Sequence, residues 1–440
     1  MVLLRLHHVP DCVTRLATNN FQEGGRLLVS LFSQILHVDK RFMTRSRRVQ
    51  DRSKNKRVQD LEIATEKWKI VSKVLFVMET LKHESEQIMT LREMERYRKQ
   101  INLKKPHKIS DFLKKSPKLF ELYKDQKGVT WCGLTQKAEE MLEEQDKLQK
   151  EQNDKLVEYV SRFLMMSVDK RLQVDKIAHF RRDMGLPDDF RESWIHSFPE
   201  NFKVVKDDDH VEYLELVTWN PKWAVTELEK KLGVANLDNP PCPGLLNLPF
   251  PLKFPENYKK VFRYGGAIEH FQNRSYLSPY ADARDLKPGS LEFDKRAVAV
   301  MHELLSFTLE KRLVVDHLTH FRKEFVMPQK LMRLLLKHFG IFYVSERGKR
   351  FNAYLNEAYN GSDLIEKCPL VQWKEKLQGL VGYRGRKRRI EMFDGHSEGE
   401  EGNNFEGILD NRYLDALEDT CTGAGSDGSE IDVGEIEKEY

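Results

Sequence analysis

The chain has 440 residues, 40% hydrophobic and 32% charged, with a formal net charge of +4. This composition excludes wholesale disorder and allows two or three domains. No apolar run approaches the ~20 residues of a membrane-spanning helix, so no membrane partner is expected.

The small net charge hides a split. Residues 391–440 hold 16 Asp/Glu against two Lys/Arg, which leaves 71 basic and 53 acidic side chains on the preceding 390 residues. A basic body with an acidic tail points to a polyanionic partner. The five cysteines are odd in number and widely spaced, with no CxxC. Neither a structural zinc site nor a disulfide framework is expected.

In chain order, residues 1–50 carry eight Lys/Arg and three acidic residues. Arg5, Arg15 and Arg26 stand among Leu, Val, Ser and Thr. That is the composition of an import presequence, assigned to residues 1–45. Its frequent Arg and Leu favour the mitochondrion, with the chloroplast as the alternative. A basic linker is expected over residues 46–61.

Three related helical units are expected next, over residues 62–150, 151–236 and 291–382. Their signal is internal repetition. Lys170–Arg181 reads KRLQVDKIAHFR and Lys311–Arg322 reads KRLVVDHLTHFR, identical at eight of twelve positions without a gap. Upstream of each lies a helical pattern: Leu156, Val160, Phe163 and Leu164 in one, Val298, Met301, Leu304 and Leu305 in the other. Downstream come a proline (Pro187, Pro328), a second apolar helix, and strand-like segments at 202–205 and 341–344. Met89–Leu103 is a fainter copy, in which Tyr97-Arg98-Lys99 aligns with Phe180-Arg181-Arg182 and Phe321-Arg322-Lys323. The order of helices followed by a short strand pair predicts a mainly α protein with short β wings, built of three winged-helix-like units.

In each triplet the aromatic is expected to enter the core and the basic pair to face solvent. Candidate contacts to the polyanion's phosphates are therefore Arg98, Lys99, Arg181, Arg182, Arg322 and Lys323, with Lys104 and Lys105 beside the first pair. Thr135–Asp154 reads as a long charged helix with exposed faces. Asn239–Tyr258 contains six prolines, so an extended linker packed along a domain surface is expected within residues 237–290. The basic run Arg384, Arg386, Lys387, Arg388 and Arg389 suits phosphate and single-strand contact. It opens a disordered segment, residues 383–440, with the acidic tail.

Catalytic signatures are scarce. There is no GxxxxGK[ST], HExxH or GxSxG pattern. The GxGxxG match at Gly423–Gly428 lies in the acidic tail, away from any strand–helix context. Cys132, between Trp131 and Gly133, is the best thiol nucleophile on paper, but no second element supports it and Trp131 reads as a core residue. His317 and His320 lack a third ligand, so no metal is expected. No cofactor or small-molecule substrate is implied.

The segments LREMERYRKQINL, ISDFLKKSPKLFELY and WCGLTQKAEEMLEEQ are followed by KRLQVDKIAHFRRDMGLPDDFRESWIHSFPENFKVV, PLKFPENYK, Ser278-Pro279-Tyr280 and KRLVVDHLTHFRKEFVMPQKLMRLLLKHFGIFYVS. In this order they resemble the plant organelle RNA recognition (PORR) family over residues 62–385. The resemblance implies a nuclear-encoded plant protein imported into an organelle. It also implies organellar RNA as partner, a role in splicing group II introns, and other splicing factors as co-partners. Two other classes stay open: a protein-interaction scaffold, and a nucleic-acid-binding winged-helix protein without a splicing role.

Overall fold

A computed structural model describes residues 58–382, apart from 102, 104–106, 208, 235–241, 257, 259–261 and 346–349. The expected transit peptide, residues 46–57 of the basic linker, Lys104, Lys105, the run holding Arg384, Arg386, Lys387, Arg388 and Arg389, and the acidic tail lie outside the described residues.

The chain is mainly α with short antiparallel strands. One element order occurs three times. First come helix α1 (Gln59–Lys82), β1 (Ile88–Thr90), short helices ending with Ile109–Lys114, and a hairpin of β2 (Phe120–Lys124) and β3 (Thr130–Leu134). After helix α2 (Gln136–Glu151) the order recurs with α3 (Asn153–Met166), β4 (Arg171–Gln173), β5 (Phe202–Lys206) and β6 (Glu212–Leu216). It recurs again with α4 (Leu291–Phe307), β7 (Arg312–Val314), β8 (Phe342–Ser345) and β9 (Asn352–Leu355). Helix α5 (Pro369–Leu380) follows. In each three-stranded sheet the last strand is central, flanked by the other two.

The repeated KRL has a local cause. The residue before the first strand of each sheet has a left-handed backbone: Gln87 (φ 57°), Lys170 (φ 55°) and Lys311 (φ 47°). Such a backbone strains a side-chain-bearing residue. Lysine offsets this by capping the preceding helix. Lys170 Nζ donates to the Met165 and Ser167 carbonyls at 2.7 and 2.9 Å. Lys311 Nζ does the same to Ser306. Each lysine thus satisfies helix-end carbonyls that have no partner within the helix.

Helix α2 differs from the exposed charged helix expected for Thr135–Asp154. Thr135 caps it by accepting from the Ala138 amide at 3.2 Å. Ala138, Met141, Leu142, Gln145 and Gln149 then form a buried stripe. That stripe packs on α5, where Trp373 Nε1 donates to the Met141 carbonyl at 2.8 Å. The acidic residues mask a narrow stripe, in which Met141 and Leu142 are the one adjacent pair.

Three apolar clusters organise the packing. One joins the second half of α1 to the first sheet, α2 and α5, through residues such as Val74, Met78, Phe112, Cys132 and Trp373. A second is shared by the second and third segments, from Phe163 and Phe180 to Leu304 and Phe321. The third holds the first turns of α1, with Leu61 and Trp68, against Tyr343, Tyr354 and Tyr359.

The shared cluster has approximate two-fold symmetry. The two repeat copies are offset by a constant 141 residues. The Val168 amide donates to the Glu324 carbonyl at 2.9 Å, and its counterpart Leu309 donates to Asp183, the counterpart of Glu324, at 2.8 Å. On the axis, equivalent rings meet: Phe180 and Phe321 have centroids 5.3 Å apart, and His179 and His320 6.4 Å. This is the isologous arrangement of a symmetric dimer, built within one chain.

Residues 237–290 are not extended throughout, since they include a helix, Phe262–Gln272, and the proline-rich stretch packs against that helix and the third segment. The Phe250 amide donates to Gln272 Oε1 at 2.7 Å, and Gln272 Nε2 returns to the Phe250 carbonyl at 3.1 Å. The Lys253 amide donates to the Gly340 carbonyl at 2.8 Å.

Candidate nucleic-acid interface

The three basic pairs meet different fates. In the first, Arg98 donates to Glu95 at 2.9–3.0 Å and to the His107 carbonyl, while Lys99 is exposed. In the third, the Arg322 guanidinium donates to the Thr319 and Gln329 carbonyls at 3.1 and 2.7 Å, while Lys323 is exposed.

The second pair points inward. Arg181 bridges Glu79 and Asp188, and Arg182 reaches the same Glu79 carboxylate. Arg182 also lies 5.2 Å over the Phe76 ring, which meets Tyr97 edge-on at 6.1 Å. Arg181 and Arg182 therefore fasten the second segment to α1, half-buried in ion pairs where they were expected to face solvent. Glu79 made the difference. It sits 102 residues upstream, where a local pattern gives no sign of it.

The aromatics of the triplets match their expected place. Phe180 is 2% and Phe321 0% exposed, and Tyr97 is half-buried against the first cluster.

Charge is distributed unevenly over the three strand–helix–hairpin segments. Residues 88–134 hold twelve Lys/Arg and five Asp/Glu, and residues 312–355 hold nine and three. Residues 171–216 hold seven and eleven. Much of the second segment's basic charge is paired: Arg191 with Asp175, Lys176 with Glu324, and Lys206 with Glu212. Its hairpin turn reads Asp207-Asp208-Asp209. The first hairpin turn, residues 125–129, carries one acidic residue, Asp125, and Lys127. Among the described residues, Lys99, Lys108, Lys118, Lys124 and Lys127 are exposed and form no side-chain ion pair. A polyanion thus meets a favourable potential on the first and third segments and an unfavourable one on the second.

The sheets' outer faces also differ. In the first sheet, Thr90, Trp131 and Tyr123 stand side by side in one row across the strands. Tyr123 is 44% exposed and Trp131 is half-buried. The opposite face, with Phe120, Leu122, Cys132 and Leu134, packs on the first cluster. Trp131 is therefore an outer-face residue rather than the core residue expected from the sequence. In the second sheet the matching row is Gln173, Tyr213 and Val205. There Gln173 Nε2 donates to the Tyr213 hydroxyl at 3.1 Å, and Arg171 covers its ring at 5.1 Å. The outer face of the third sheet is buried by α1: Ser345 Oγ donates to Glu62 Oε2 at 2.9 Å, and Tyr343 also bonds Glu62. Thr65 and the Tyr354 hydroxyl lie 2.8 Å apart.

Cys132 is fully buried, and burial pushes its thiol up to about 12, far from a reactive thiolate. His179, His317 and His320 cluster on the two-fold axis, with His317 Nε2 2.7 Å from Arg350. Burial, then Arg350 and the neighbouring imidazoles, hold His317 down at about 4. Among the described residues no group of three or more His, Cys, Asp or Glu is placed to hold a metal ion. A cleft of about 500 Å³ between α3 and α4 is lined by Lys155, Tyr159, Lys231, Lys311 and Glu357. Its charge is mixed, and Lys231 is paired with Glu357 at 3.0 Å.

The plant organelle RNA recognition domain model matches residues 56–386. The chain is 34% identical to Protein WHAT'S THIS FACTOR 1 homolog, chloroplastic, of Arabidopsis thaliana, over 82% of this chain and 67% of that relative. It is 35% identical to Protein WHAT'S THIS FACTOR 1, chloroplastic, of Zea mays, over 77% of this chain and 68% of the relative. It is also 27% identical to Protein WHAT'S THIS FACTOR 9, mitochondrial, of Arabidopsis thaliana, over 62% and 70% of the two chains. The chain thus spans about two thirds of these relatives' length. No solved structure matches it. Together the family match and the relatives support an organellar RNA-binding protein.

Proposed function

The chain belongs to the plant organelle RNA recognition family, and from that premise we propose that it binds group II intron RNA and promotes its splicing with other splicing factors. The reading needs no catalytic group. Lysine and arginine neutralise phosphates, and the bound intron is held in a conformation it reaches poorly alone. In this reading the three repeated segments are winged-helix-like units, one folded on α1 and two paired about the internal two-fold.

The observation that carries the reading is the concentration of exposed, unpaired lysines on the first segment of a chain from this family. Among the residues singled out from the sequence, Lys99, Lys104, Lys105, Arg322, Lys323, Arg384, Arg386, Lys387, Arg388 and Arg389 are proposed as phosphate contacts. Arg98 contributes after exchanging its Glu95 partner for phosphate. The proposed compartment is the mitochondrion, on the Arg- and Leu-rich, acid-poor composition of residues 1–45. The relatives' names divide between the two organelles.

Plants lacking the protein test this directly. The ratio of spliced to unspliced transcript is measured for every group II intron of both organelles. Unspliced mitochondrial introns are expected to accumulate. Wild-type ratios throughout would overturn the splicing role, and a defect confined to chloroplast introns would overturn the compartment.

A further inference from the structure

Three sheets of equivalent order present three outer faces, and their fates are unequal. The third is covered by α1 through Glu62 and Thr65. The second has its aromatic, Tyr213, engaged by Gln173 and Arg171, and an acidic turn beside it. Among the described residues, the first alone leaves aromatic rings open.

Tyr123 and Trp131 are direct partners across the β2–β3 ladder. Side chains directly opposite on one sheet face are neighbours whose Cβ atoms stand about 5 Å apart. The turn that joins the strands is tight: the Asp125 amide donates to the Val129 carbonyl at 2.9 Å, and the Gly128 amide to the Asp125 carbonyl at 2.8 Å. Gly128 has φ +77°, which a side chain would strain. The rings are therefore mounted on a rigid hairpin, which carries exposed Lys127 in its turn and exposed Lys124 at the strand end, where the alternation sets Lys124 on the face opposite the rings. Carboxylates flank the rings: Glu121 and Asp125 stand on either side of Tyr123 in the alternation of the strand, and Glu93 accepts from Thr90 Oγ1 at 2.8 Å at the other end of the row.

We propose that the outer face of the first sheet is a stacking platform for unpaired RNA bases, with Tyr123 and Trp131 receiving the bases and Lys127, joined by Lys124 from the other side of the hairpin tip, receiving the phosphates that pass over that tip. This deepens the RNA-binding reading and rests on it. The occupant is argued from charge and shape together. Exposed rings beside cations match a strand that offers π-faces and phosphates at once. Double-stranded RNA keeps its bases stacked inside and gains only the lysine contacts. Glu93 and Glu121 repel a backbone lying along the strands, which leaves the phosphates to the lysines at the hairpin tip.

The test uses the full chain and two probes, a uridine-rich 15-nucleotide single strand and a perfect RNA duplex of equal length. Tyr123→Ala should weaken single-strand binding about tenfold, the loss typical of one stacked base, and leave duplex binding unchanged. Tyr123→Phe keeps the ring and should bind as wild type. K124E/K127E should lower the slope of log affinity against log salt by about 1.4, from roughly 0.7 per phosphate contact on a single strand. RNA should quench tryptophan fluorescence in the wild type and markedly less in Trp131→Phe. If the wild type binds the single strand and these variants bind it equally well with an unchanged salt slope, the platform is refuted while RNA binding stands. If the wild type binds neither probe at low salt, the RNA-binding reading fails and the platform with it.

Discussion

Glu79 joins α1 to the second segment, and removing its partners should reveal what Arg181 and Arg182 do. The Glu79 side chain is 7% exposed and meets Arg181 at 3.1 Å as well as Arg182. In the double variant Arg181→Ala/Arg182→Ala, this carboxylate loses both cations within the fold. Leaving a buried charge without its partner costs about 3–5 kcal/mol. The arginines are themselves 20% and 34% exposed, so solvent screens part of the interaction. The expected loss is then about 2–4 kcal/mol, including about 0.5–1 kcal/mol for the Arg182 contact with Phe76. Removing Glu79 as well should recover part of that loss, because the stranded charge goes with it. Urea unfolding reads the effect as a lower midpoint at unchanged slope. The salt dependence of RNA binding by the folded variant should stay at the wild-type value. A double variant that unfolds like wild type, and whose salt slope falls by about 1.4, would refute the reasoning and return the pair to the RNA contacts.

Three further outcomes follow from the packing and the titration shifts. Phe321→Ala removes a fully buried ring from the two-fold axis and should cost about 3–5 kcal/mol by urea unfolding. Gly340→Ala places a methyl 2.6 Å from Phe254 Cε1, so the ring must move. A loss of about 1–3 kcal/mol and faster proteolysis near Lys253 are expected. His317 is held at about 4 against an ordinary 6.5, so the unfolded chain binds the extra proton between those values. Stability from this site is complete above pH 6.5 and is lost as pH falls toward 4, by an amount on the order of 3 kcal/mol. His317→Gln should flatten that part of the stability–pH curve.

Much of the architecture is legible in the sequence because the two close copies repeat without a gap. The match of KRLQVDKIAHFR to KRLVVDHLTHFR predicts a shared local structure, and both copies place the lysine cap, the three-residue strand and the buried phenylalanine alike. The strands at 171–173 and 312–314 escape sequence reading, since three residues are too few to display a period of two. The pairing of the copies about a two-fold is invisible for a different reason. It depends on contacts such as Val168 to Glu324, between residues far apart in the chain.

The interface was less legible than the fold. Basic residues following a repeated aromatic look equivalent in sequence, yet Glu79 claims one pair and backbone carbonyls claim Arg322. Tyr123 and Trp131 were readable in principle. FELYK and TWCGL alternate around the turn DQKG, so a hairpin register puts Tyr123 and Trp131 on one face. What no alternation reveals is whether another element covers that face, as α1 covers the third sheet.

On this proposal, the chain holds intron RNA in the organelle through the open face of its first sheet. Ultraviolet cross-linking in purified mitochondria, followed by sequencing of the bound RNA and mapping of the cross-linked peptide, tests it most directly. Group II intron RNA joined to the peptide spanning Tyr123 and Trp131 is the expected result. No RNA above the untagged control, or cross-links confined to the acidic second hairpin, would contradict it.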